Sequence, residues 1–138
     1  MNVKEEALKL HASGFNCAQS VLGALRDYTG LEDSIALAVC GGFGGGVRCG
    51  EICGAASAAV MAIGLAFPHN EGSDLEARRK VRELTGKYTA CFKNEFGCIR
   101  CVDLKKSGRP CNGLIEYAAQ LAENIITENG EETKHGNL

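Results

Sequence analysis

Eight cysteines stand in this 138-residue chain, at Cys17, Cys40, Cys49, Cys53, Cys91, Cys98, Cys101 and Cys111. Two pairs are close in sequence, Cys49 with Cys53 and Cys98 with Cys101, and by spacing alone they would make a four-thiolate metal site. A compact zinc ribbon keeps its pairs closer than the 44 residues that separate Cys53 from Cys98. Covalent haem is excluded, because Val102 follows Cys101 where a histidine is required. A thioredoxin-like assignment fails as well, since the flanking pattern is not βαβ.

The elements that must position these thiols read as helices. Val3, Ala7 and Leu10 form a short stripe before Gly14. Asn16 and Gln19 have the spacing of a capping box, opening a helix whose apolar positions run from Ala18 to Tyr28 and which Gly30 ends. A short segment, Ile35 to Cys40, leads to a glycine-rich run. A central Ala/Gly-rich helix is expected from near Cys53 to Phe67, because Pro68 disfavours helical geometry in the residue before it. Ser73 to Glu76 gives a second capping pattern, for a helix striped with Ala77, Val81, Leu84, Tyr88 and Cys91 that should end by Gly97. The last helix begins near Pro110-Cys111, carries Leu114, Ala118, Leu121, Ala122 and Ile125, and gives way at Gly130 to a frayed tail, 131–138. The expectation is one all-α domain spanning 1–138, a bundle of five or six helices around the central one.

Position within these helices sorts the thiols differently from spacing. Cys17, Cys53 and Cys111 each fall in an expected first turn, where the dipole and free amide hydrogens favour a thiolate. Cys101 joins them through charge: Arg100, Lys105, Lys106 and Arg109 face Asp103 alone, so its loop is cationic. Cys91 and Cys40 read as small buried hydrophobes. Cys49 and Cys98 lie beside Cys53 and Cys101 and would be auxiliary thiols. Convergence of Cys17, Cys53, Cys101 and Cys111 on one site is therefore expected.

Other features add less. The run Gly41-Gly42-Phe43-Gly44-Gly45-Gly46 puts Val47 where either nucleotide-binding fingerprint needs another residue, so neither a flavin nor a nicotinamide is expected. The run reads either as a plain turn or as backbone packed close to something bulky and inorganic. His11, His69 and His135 lack metal-ligand spacing and read as exposed or capping side chains. Glu51, two residues before Cys53, reads as an exposed charge, with a proton acceptor as the lesser alternative.

Composition bounds the rest. The chain is 45% hydrophobic and 23% charged with a net charge of −2, which suits one globular domain and gives no reason to expect nucleic acid or an anionic membrane. The uncharged run from Ile52 to Asn70 suits a buried helix better than a membrane span. The charged start points to the cytoplasm, where thiols stay reduced and eight cysteines read as ligands or reactive thiols. A homodimer is plausible, with no patch identified.

Asn16-Cys17-Ala18-Gln19, the Gly42 to Gly46 loop, Gly50-Glu51-Ile52-Cys53-Gly54-Ala55, Phe96-Gly97 leading to Cys101, and Cys111 followed by Gly113 resemble the C-GCAxxG-C-C family of redox-active proteins. The similarity spans nearly the whole chain, and a similar domain occurs in split-Soret cytochromes. The family's shared cysteines fall on Cys17, Cys53, Cys101 and Cys111. One departure is Ala58, where the family usually has glycine. The resemblance implies redox or cluster chemistry and names no substrate or redox partner. Three readings follow: an iron–sulfur cluster held by four thiolates, cluster-free thiol/disulfide exchange or sulfur transfer, and a structural zinc site.

Overall fold

The computed structural model describes residues 2–137, with side chains described for residues 2–130. The helices are α1 (Val3–Ala12), α2 (Cys17–Ala24), α3 (Arg26–Thr29), α4 (Asp33–Val39), α5 (Gly54–Ala66), α6 (Leu75–Phe96), α7 (Cys101–Lys106) and α8 (Cys111–Asn137). The fold is all-α. Among the described residues there is one isolated antiparallel bridge, Ile52 with Arg100, and no strand. Side chains of the tail expected to fray, 131–138, lie outside the described residues.

Local chemistry explains most helix ends. The Asn16–Gln19 capping box forms at α2, with the Asn16 side chain accepting from the Gln19 amide and the Gln19 side chain accepting from the Asn16 amide. At α6 the cap is Asp74, one residue later than the Ser73 pattern suggested, because its carboxylate accepts the Ala77 amide at 3.0 Å. Gly97 closes α6 in the left-handed region at φ 81°. Two helices exceed the expected five or six. The Ala18 to Tyr28 stretch breaks at Leu25 (φ −94°, ψ 17°), which separates α2 from α3. The cationic loop around Cys101 folds as α7, a helix too short to show periodicity.

α5 is the central element. It packs on α2 and α8, while α1 covers α2 and α8 from the other side and α6 lies against α5 and α8. Its buried residues, Gly54, Ala55, Ala56, Ala58, Ala59, Ala62 and Ile63, cover a little over half of its circumference, and Ser57, Val60, Met61 and Gly64 on the remaining arc are half-buried, so the helix is largely covered as expected. Larger buried side chains on its neighbours fill the space these small ones leave: Leu22 and Leu25, then Ile115 and Ile125. Tyr88 and Phe92 of α6 add an aromatic layer, the Tyr88 hydroxyl donating to the Ala118 carbonyl of α8 at 3.1 Å. Phe92 occupies the core position where the stripe placed Cys91, which is half-buried instead.

Candidate functional site

Cys17 is the first residue of α2, and its place is fixed by the cap before it. Asn16 also reaches sideways, its Nδ2 donating to the carbonyl of Gly41 at 3.2 Å and less closely to that of Cys40. That bond ties the glycine-rich loop to the start of α2. A Cβ built at Gly44 would come within 2.8 Å of the Asn16 side chain, and one at Gly54 would lie 2.5 Å from the Phe43 carbonyl oxygen and 2.9 Å from Cys17 Sγ. The close approaches that these two glycines permit are to protein atoms.

Cys53 and Cys101 are set side by side by a short clasp between residues 51–53 and 99–101. The Cys53 amide donates to the Ile99 carbonyl at 2.8 Å, and the Cys101 amide donates to the Glu51 carbonyl at 2.6 Å. Outside this clasp the Arg100 guanidinium donates through two nitrogens to the Glu51 carboxylate, at 3.1 and 3.3 Å. Glu51 is thus the exposed charge of the preferred reading, with a cation as its partner. Cys53 caps α5, Cys101 opens α7 and Cys111 opens α8.

Between these elements lies a cavity of about 190 Å³, and Cys17, Cys53, Cys101 and Cys111 all line it. The structure therefore brings together the four thiols selected from the sequence, although 94 positions separate the first from the last. All eight cysteines are unbonded thiols. Cys53 lies buried at the inner side, Cys17 and Cys101 are half-buried, and Cys111 is exposed. Leu104, Leu114 and Ala55 supply apolar wall, while Arg48, Lys105 and Arg109 line the same cavity without a carboxylate beside them. Among the described residues no three His, Cys, Asp or Glu groups are gathered closely enough to hold one metal ion.

The electrostatics at Cys53 depart from the expectation of a favoured thiolate. Burial pushes this thiol up to about 11, with the nearby Cys17 and Cys101 adding to the rise. Amides of Ala56 and Ala55, at the start of α5, pull the other way and are outweighed. The helix terminus acts as the sequence suggested, but removal from water has the larger effect. Cys40, fully buried with its Sγ 3.8 Å from Met61 Sδ, is likewise pushed up to about 11, chiefly by burial.

The remaining candidates lie elsewhere. Cys49 is exposed on the turn at 46–50, and Cys98 is half-buried with its sulfur 3.8 Å from the Phe96 carbonyl; neither lines the cavity. His69 is exposed just beyond Pro68, and the His135 side chain lies outside the described residues. His11, an exposed or capping side chain by its sequence position, lines the cavity, with Nδ1 at 2.9 Å from the Phe15 carbonyl just beyond the end of α1. A carbonyl only accepts, so Nδ1 carries a proton. Arg48 also lines the cavity, although nothing in its sequence position marks it. It reaches the cavity because the chain from Gly45 to Arg48 turns left-handed, with Val47 and Arg48 at φ 57° and 61°.

Residues 15–125, well over half of the chain, match the family model described as "putative redox-active protein (C_GCAxxG_C_C)". The chain belongs to this C_GCAxxG_C_C family. The four cavity thiols all fall inside the matched residues, and His11 falls outside them. No curated protein and no solved structure matches the chain. No helix among the described residues is long and apolar enough to cross a membrane.

Proposed function

We propose that this C_GCAxxG_C_C protein is an electron-transfer or sensing protein whose Cys17, Cys53, Cys101 and Cys111 hold an iron–sulfur cluster. The observation that carries the reading is the single cavity lined by four thiols from four separate segments, with cations and apolar side chains between them. Four cysteine thiolates are the usual ligand set of such clusters. The alternative of a structural zinc ion would need every ligand about 2.3 Å from one point, and zinc would supply no electron transfer. When bound, the cluster supplies one-electron transfer.

The chain's own residues prepare this site in three ways. Arg48, Lys105 and Arg109 offset the negative charge that four thiolates bring together. The 51–53/99–101 clasp holds Cys53 and Cys101 in fixed register, which limits the ordering required when ligands bind. The buried Cys53 is held as a thiol near neutral pH, a poor free nucleophile but a competent ligand once metal displaces its proton.

A second reading, cluster-free thiol/disulfide exchange, draws on the exposure of Cys111 beside these cations. Protein purified without oxygen separates the two. Brown protein with visible absorption that bleaches on reduction supports the cluster, whereas colourless, metal-free protein with exchange activity overturns it in favour of the dithiol.

A further inference from the structure

We propose that the mouth of the thiol cavity is a recognition site for small anions, so that the molecule exchanging sulfur or electrons with this site carries negative charge. The chain as a whole has a net charge of −2, yet Arg48, Lys105 and Arg109 all line this one cavity and no Asp or Glu does. All three are solvent-exposed.

These cations come from three separate pieces of chain: the left-handed turn at 46–50, the end of α7 and the loop before α8. Elsewhere Arg26 pairs with Glu6 and Asp33, Arg79 with Glu76 and Glu83, and Arg100 with Glu51 and Asp103, while Arg78 and Arg82 are exposed on α6 and do not line this cavity. Among the described residues Arg48, Lys105 and Arg109 make no ion pair, and Arg109 lies 5.4 Å from the Phe96 ring centroid. Left-handed geometry at Val47 and Arg48 is strained for residues with side chains, and it delivers one of these charges to the cavity. A cleft of one sign with apolar walls focuses its field, which raises the local concentration of oppositely charged solutes.

Position within the cavity says where the anion is met. Cys53 is buried and Cys111 exposed, so a reagent entering from solvent reaches Cys111 first. The cavity volume of about 190 Å³ suits a small molecule, or one end of a longer one. This inference rests on the cavity thiols being the reacting groups and is independent of which group they hold.

The test uses the full chain, reduced and freed of metal by a chelator, with two aromatic disulfides as probes. One, 5,5′-dithiobis(2-nitrobenzoate), carries two carboxylates; the other, 4,4′-dithiodipyridine, is neutral. In each case the Cys111 thiolate attacks one probe sulfur, the probe S–S bond breaks, and a protein–aryl disulfide forms. The aryl thiolate leaves with the electron pair, and the cysteine proton goes to buffer. Mass spectrometry follows Cys111 itself.

The expected result is a ratio of anionic to neutral probe rates that falls by about tenfold or more in Lys105→Glu/Arg109→Glu. The same ratio should fall in the unaltered protein as salt rises from about 0.01 M to about 0.5 M. The salt series reads the site even where the double variant folds poorly. Were the cations only to promote thiolate formation, both probe rates would move together and the ratio would stay constant, which overturns the proposal. A protein that takes up no iron but keeps the charge-dependent ratio refutes the cluster alone. An iron-loaded protein whose metal-free form shows no such ratio refutes the anion site alone.

Discussion

Cys17 Sγ rests against the backbone of Gly54, so near that a Cβ on Gly54 would stand 2.9 Å from the sulfur and 2.5 Å from the Phe43 carbonyl oxygen. The start of α2, the glycine-rich loop and the start of α5 therefore meet at a point where only glycine fits. Gly54→Ala forces one of these to move, and a backbone carbonyl yields poorly. The variant is expected to lose about 1–3 kcal/mol in urea unfolding, as other overpacked sites do. Unchanged stability would mean that the loop carrying Phe43 adapts freely.

Val47 gives a prediction of the opposite sign. It is β-branched, half-exposed and held at φ 57°, in a region that L residues with side chains rarely adopt. Val47→Gly removes the clash and loses little burial, although glycine gains freedom in the unfolded chain. A net gain of up to about 1 kcal/mol is expected, read as a higher urea midpoint. A loss of stability would show that the turn bears no strain there.

Glu51 is an ion-pair partner of Arg100 at the surface, where solvent and salt leave such pairs little net effect. Glu51→Gln should therefore lower the urea midpoint only slightly, an effect that about 0.5 M salt largely removes. It should leave iron content unchanged, since the clasp uses the Glu51 carbonyl and not its carboxylate. Abolished metal loading in this variant would give the carboxylate a role beyond pairing.

Cys40 sets a pH dependence. Its thiol is pushed up from an ordinary value near 9 to about 11, mainly by burial. The folded protein thus keeps a proton that the unfolded chain releases, and the stability this contributes is full below pH ~9 and lost as pH rises toward ~11. Unfolding free energy should fall across that window, and Cys40→Ala should fall less steeply even though its starting stability is lower. Equal slopes would mean that Cys40 keeps its ordinary affinity for protons.

Residue by residue, the sequence was legible where one local rule governed. The Asn16–Gln19 box, the Pro68 stop and the Gly97 cap each depend on neighbours within a few positions, and each formed. That Cys17, Cys53, Cys101 and Cys111 line one cavity was legible too, because helix starts mark three of them and local charge marks Cys101. What escaped depends on distant packing. Leu25 breaks a helix without a Pro or Gly of its own to announce it, the nearby Gly23 being helical. α7 has only one buried residue, Leu104, so it leaves no stripe. His11 and Arg48 reach the cavity only because α1 docks on α8 and because two residues with side chains turn left-handed. The charge state of Cys53 was misjudged because burial, invisible in the sequence, outweighs the amides of the helix start.

Iron and acid-labile sulfide, measured per chain in eight anaerobically purified Cys→Ser variants, test the shared four-thiol site most directly. Loss of most of the iron and sulfide is expected for Cys17, Cys53, Cys101 and Cys111, with near-parental content for Cys40, Cys49, Cys91 and Cys98. Full iron and sulfide in any of the first four, or their absence from the parent protein, would contradict the account.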